Sequence, residues 1–153
     1  MSLSNLGSVL STLYERNRDI NALNESILHY RDALVLRPAP HPKRGSSLDN
    51  LANTLLSQYK HNGEIAILNE AIIFRRELLV LEPPGHQYRA FDVECFVELL
   101  KIRFALTGEE ADRDEIQASQ QELDKPEFDD EDDESGMEDS VPEEGLDVDV
   151  DRW

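Results

Sequence analysis

Apolar residues recur every three or four positions along the first two thirds of the chain. Leu3, Leu6, Leu10 and Leu13 form one stripe, Leu48, Leu51, Leu55 and Tyr59 a second, and Ile65, Leu68, Ile72 and Leu79 a third. That spacing puts each set on one face of an α-helix, and strand-like alternation is absent from the region. Asn62-Gly63 and Thr107-Gly108 supply residues that tolerate a left-handed helix end, so they mark turns between paired helices. Pro38 and the Pro83-Pro84 pair stand where a second helix must stop, because proline cannot continue the backbone ladder. Ser46, three residues before Asp49, reads as the cap of the helix that follows. The resulting unit is helix, tight turn, helix, proline stop.

The unit repeats. Shifted by 45 positions, the sequence matches itself at 18 of 45 aligned residues, among them Leu6/Leu51, Leu10/Leu55, Tyr14/Tyr59, Ile27/Ile72, Arg31/Arg76 and Pro38/Pro83. A weaker third copy begins at Val93, with Phe96, Leu100, Phe104 and Gly108 falling on Leu51, Leu55, Tyr59 and Gly63. In its second half, Arg113, Asp114 and Glu115 stand at the positions of Leu68, Asn69 and Glu70. A polar last helix suits the end of a stacked array, where no neighbour covers it. The other end is predicted to start inside a helix with no polar unit before it. This arrangement predicts marginal stability, self-association through the uncapped N-terminal helix, or a shortened member of a longer family.

Leu6, Gly7 and Leu10, followed by Ser26, Tyr30, Ala33 and Pro38, resemble the tetratricopeptide repeat pattern. In the second copy the matching residues are Leu51, Ala52 and Leu55, then Ala71, Arg75, Leu78 and Pro83. The period of 45 exceeds the usual 34 or so of that family. Seven extra residues between Gly7 and Ser26 lengthen the hairpin, and four more follow the proline. This long form is similar to the repeats of kinesin light chains and to the arrays of large fungal proteins. Those fungal proteins often end in a caspase-like CHAT domain, which nothing here resembles. The resemblance covers roughly residues 3 to 118 and implies an all-α, tetratricopeptide-like α-solenoid of about two and a half helix-turn-helix repeats. We place the repeat region at residues 1–123, with copies over 3–47, 48–92 and a degenerate 93–123.

Charge divides the chain differently. The net charge of −18 arises entirely after Gly108: the residues before it hold equal numbers of acids and bases. Residues 124–153 combine like-charge runs with few apolar side chains, so burial cannot offset chain entropy, and a disordered acidic tail is expected. Within it, Ser135 and Ser140 each precede a glutamate by three residues (Glu138, Glu143), as acidophilic kinase sites do. The terminal Trp153 beside carboxylates resembles the tryptophan-acidic peptides that kinesin-light-chain-type grooves accept, so the tail is a candidate occupant of the chain's own groove.

The remaining candidates carry little chemistry. His41 with Arg44 and His86 with Arg89 return at equal offsets, but one histidine per copy cannot build a zinc site, and no acid–base partner accompanies either. Their repetition points to a structural joint between stacked units. The lone Cys95 rules out an intramolecular disulfide framework and reads as a small packed hydrophobe. No phosphate loop, metal pattern or nucleophile motif occurs, so neither an enzyme nor a cofactor is expected. No basic patch suits nucleic acid, no stretch reaches the roughly 18 apolar residues of a membrane span, and a cytoplasmic or nuclear location is the default.

In tetratricopeptide arrays the first helices line a concave groove for peptides. The resemblance therefore makes Asn5, Asn50 and Asn53 candidate peptide-backbone partners, and Lys101 and Arg103 candidates for an acidic ligand. The function expected is a non-enzymatic protein-interaction module, a scaffold or adaptor that holds a peptide or helix. Two alternatives stand beside it. One is a regulatory acidic-tail protein for basic partners, or one whose tail fills its own groove. The other is a scaffold remnant without independent function.

Overall fold

The computed structural model describes residues 2–125. Among them are six helices and no strand: α1 (Leu3–Asn17), α2 (Ile20–Val35), α3 (Arg44–Asn62), α4 (Ile65–Leu81), α5 (Arg89–Thr107) and α6 (Glu110–Leu123). Each helix packs against the next in sequence, and α1 also reaches α3. The chain is thus three antiparallel hairpins stacked in order, an α-solenoid. The tail expected over residues 124–153, with Ser135, Ser140 and Trp153, lies outside the described residues from 126 onward.

The turns inside the hairpins share one geometry. Gly63 (φ 72°) and Gly108 (φ 67°) are left-handed, and their N–H groups donate to the carbonyls of Tyr59 and Phe104 at 2.7 and 2.8 Å. The first hairpin builds the same turn with Arg18 (φ 56°), whose N–H donates to Tyr14. A side chain in this conformation costs about 1 kcal/mol relative to glycine. The missing glycine explains why the first turn carries no sequence signal.

Two helix starts differ from expectation. Lys43, without a side-chain cap bond, precedes α3, which begins at Arg44 and so includes Ser46 in its first turn. The other is α1, where Ser2 stands as a cap, its side chain accepting from the N–H of Asn5. The third hairpin is closed by a 14-residue α6, shorter than the 17-residue α4, and polar apart from Ile116 and a few partly buried positions.

The core runs between successive hairpins. Leu51 and Leu55 of α3 join Ile27 and Tyr30 of α2, and Val93, Phe96 and Leu100 of α5 join Leu68 and Ile72 of α4, in one continuous cluster. Gly7 of α1 and the aligned Ala52 of α3 are small and buried. The ring of Tyr30 lies on Gly7, and a Cβ there would meet ring carbons at 2.9 to 3.1 Å. Tyr30 is buried, with its hydroxyl 3.1 Å from Ser8 Oγ, so the ring has little freedom to retreat. Gly7→Ala is expected to destabilise the protein by about 1–2 kcal/mol despite alanine's better helix propensity. Urea unfolding checks this, and an increase in stability would show that the ring is free to move.

Candidate functional site

The first helices of adjacent hairpins enclose a cleft of about 200 Å³. Its walls are Ser11, Tyr14 and Glu15 of α1 and Asn50, Asn53, Thr54 and Ser57 of α3, with the buried Leu23 and Tyr30 of α2 at its base. Ser11 and Thr54 bridge the walls through their hydroxyls at 3.4 Å. The lining is mostly polar, with Leu23 and two tyrosine rings among it, and carries one charge, Glu15, which suits hydrogen bonding to a backbone. A larger concavity of about 900 Å³ lies between the Pro84–Ala90 segment and α6 and is bounded by Lys125, the last described residue.

The repeated histidine and arginine lie in the joints between hairpins. His41 and His86 donate their N–H groups to Pro38 and Pro83 carbonyls at 2.8 and 3.0 Å and accept from the N–H of Arg44 and Arg89 at 3.0 Å each. Each imidazole Nδ1 also accepts from the backbone two residues on, at Lys43 and Tyr88. The guanidinium of Arg44 donates to the carbonyls of Leu34 and Arg37 and pairs with Glu77. Arg89 does the same with Leu79, Glu82 and Glu122. Each arginine thus satisfies the orphan carbonyls of one helix end and ties them to the second helix of the next hairpin. A second series, Arg31–Glu70 and Arg76–Glu115, links second helices at the same spacing.

Beside the cleft sits an ionic cluster. Arg75 of α4, 1% exposed, pairs with Asp49 of α3 at 2.7 Å and Asp92 of α5 at 2.6 Å, and donates to Asn53 Oδ1 at 2.5 Å. Glu82, also buried, completes the group; its carboxyl is pushed up to about 7 by burial first and by its hydrogen bond to Asp92 second, with Arg75 acting against both. Glu82 Oε2 is buried with no partner among the described residues, and His86 Nδ1 stands 3.7 Å from Oε1. Three carboxyls share one guanidinium, and the proton held by Glu82 relieves part of the imbalance.

The first joint has the same geometry with different chemistry. Position by position, Arg37, Ser4, Ser47 and Tyr30 stand where Glu82, Asp49, Asp92 and Arg75 stand. Arg37 Nη1 donates to Ser4 and Ser47 hydroxyls at 2.7 Å each. An arginine clasped by two serines has become a glutamic acid among two aspartates and an arginine. Laying the copies side by side exposes this exchange in the sequence, but only the structure shows that the four positions meet.

The residues expected to bind fall in different places. Asn50 and Asn53 line the cleft. Asn50's side chain makes no hydrogen bond among the described residues, whereas Asn53 is held by Arg75 and donates to Asp49. Asn5 is exposed in the first turn of α1, away from the cleft lining, and Lys101 is exposed on α5. Arg103 is occupied: it forks onto the buried Asp112 of its own hairpin at 2.5 and 2.9 Å and reaches Asn69 of α4 at 3.1 Å. The hydrogen bond to Asp112 pushes its pKa up, so its charge is fixed in structure. Burial pushes the Cys95 thiol up, opposite to what a nucleophilic thiolate requires.

Residues 44–88, from the joint arginine of one unit to the last residue before that of the next, match the family model described as tetratricopeptide repeat. The second hairpin is thus similar to a tetratricopeptide repeat. The matched segment covers the second hairpin and the proline joint that follows it. No curated protein and no solved structure matches the chain. Among the described residues, no helix is long and apolar enough to cross a membrane. Tetratricopeptide repeats in general present concave surfaces to protein partners.

Proposed function

We propose that the cleft between α1 and α3 binds an extended peptide segment of a partner protein, and that the chain serves as a non-catalytic scaffold or adaptor. One observation carries the reading: the stacked hairpins leave a polar cleft in which Asn50 offers a donor and an acceptor that no described residue uses. A peptide backbone needs such paired groups. The anchored Asn53 and the Arg75 cluster behind it hold the α3 wall in place, which limits the ordering cost of binding. The 45-residue period supports assignment to the long, kinesin-light-chain-like form of the repeat. The cytoplasm is the proposed location.

Peptides selected from a random display library against the full chain provide the test. Asn50→Ala is expected to weaken a selected peptide about tenfold, the worth of one or two hydrogen bonds in a partly buried site. Leu28→Ala, on the exposed side of α2, is expected to leave binding unchanged. Removing residues 124–153 separates this reading from the acidic-tail alternative. Capture that survives the deletion supports the groove, and salt-sensitive capture that is lost with the tail contradicts it.

A further inference from the structure

The hairpins stack through one recurring contact, and the first hairpin presents half of it without a partner among the described residues. Positions 48, 51 and 55 of α3 and 93, 96 and 100 of α5 are fully buried against the preceding second helix. Their equivalents on α1, Leu3, Leu6 and Leu10, are only half-buried. The fourth aligned position is sharper: Val9 is 57% exposed, against 5% for Thr54 and 2% for Leu99. Leu13, at 38%, extends the stripe.

At the opposite end of the stack the complementary surface is polar. Gln117 and Gln120 of α6, and Asp124 just past its end, stand where α2 and α4 have Ile27/Ile72, Tyr30/Arg75 and Leu34/Leu79, and all three are exposed. Head-to-tail stacking of copies would therefore press leucines against two amides and a carboxylate. The surplus negative charge also begins on that hairpin, at Glu109.

The α1 stripe is, by contrast, its own complement. Leu3, Leu6, Leu10 and Leu13 have the three-four-three spacing of alternating a and d positions. Reversed, the spacing is identical. Two α1 helices laid antiparallel place Leu3 against Leu13 and Leu6 against Leu10 of the other copy, with the two Val9 side chains flanking the symmetry axis. α1 carries only Glu15 and Arg16 as charged residues, so no like-charge row opposes the approach.

We infer that this chain forms a two-fold dimer through antiparallel pairing of α1 with α1 of a second copy. A helix of about 22 Å supplies less area than the roughly 800 Å² per partner of a stable interface, so the dimer dissociates in the micromolar range. The peptide cleft lies on another side of α1, through Ser11 and Glu15, so one dimer presents two clefts.

Sedimentation velocity on the full chain between roughly 1 and 300 µM tests the inference. The expected result is a concentration-dependent shift from monomer to dimer. Val9→Glu with Leu13→Glu is expected to weaken it by at least about 30-fold, with helicity and melting temperature retained, because two charges would be buried unpaired. Leu28→Glu, on a position whose equivalent Ile73 is equally exposed, is expected to leave the dimer intact. In a Cys95→Ser background, a mixture of Leu3→Cys and Leu13→Cys chains is expected to form the mixed disulfide in preference to either self-pair. A monomer at every concentration, a dimer that survives both glutamates, or preferential Leu3→Cys self-pairing would each overturn the proposal.

Discussion

Arg75→Met is expected to lower stability by about 3–5 kcal/mol near neutral pH, the largest effect of any single change considered. Among the described residues, the guanidinium is the only cation in contact with Asp49 and Asp92. Methionine fills similar volume, so the loss measures charge rather than a cavity. Without the arginine, Asp92 and Glu82 remain buried beside each other, and Asn53 loses the donor that positions it in the cleft. Adding Asp92→Ser, which installs the residue of the first joint, is expected to recover part of the loss. Urea unfolding of the single and double variants reads both quantities. A single-variant loss below about 1 kcal/mol would mean that water already solvates the cluster.

Glu82→Gln is expected to act in the opposite direction, and only above mildly acidic pH. The Glu82 carboxyl is raised from 4.5 to about 7 in the folded state. Between those values the folded chain holds a proton that the unfolded chain has lost, so this residue's contribution to stability falls as pH rises through the window. Below pH 4.5 the contribution is fully present, and above about pH 7 it is lost. Glutamine keeps a neutral donor facing Asp92 at every pH. The variant is therefore expected to match wild type near pH 4.5 and to exceed it by on the order of 2–3 kcal/mol at pH 8. Thermal melts of both proteins across that range give the difference curve. A flat difference would place the proton elsewhere in the cluster.

Much of the fold was legible because its determinants are local. Leucine spacing gives the helices, Gly63 and Gly108 give two turns, and the prolines give the joints. The first turn was silent because Arg18 accepts a conformation that ordinarily selects glycine. The start of α3 was misplaced at Ser46 because its true cap, Lys43, makes no side-chain bond; the joint's own hydrogen bonds begin that helix.

The candidate site was less legible. Asn50 and Asn53 could be assigned to a first helix, but the distinction between them depends on Arg75, which lies more than 20 positions away in sequence. Arg103 shows the same limit. A basic residue on a first helix invites an acidic ligand until Asp112 is seen to fill its fork. The joint histidines and arginines were readable as structure from repetition alone, since stacked units recreate the same unpaired carbonyls each time.

The central claim is that the cleft of the first helices, and not the joints, receives a partner. Titrating isotope-labelled protein with a selected peptide and following amide shifts tests it most directly. The account predicts shifts concentrated at Ser11, Asn50, Thr54 and Ser57, including the Asn50 side-chain amide. Shifts confined to the joint segments 38–43 and 83–88, with the cleft unmoved, would contradict it.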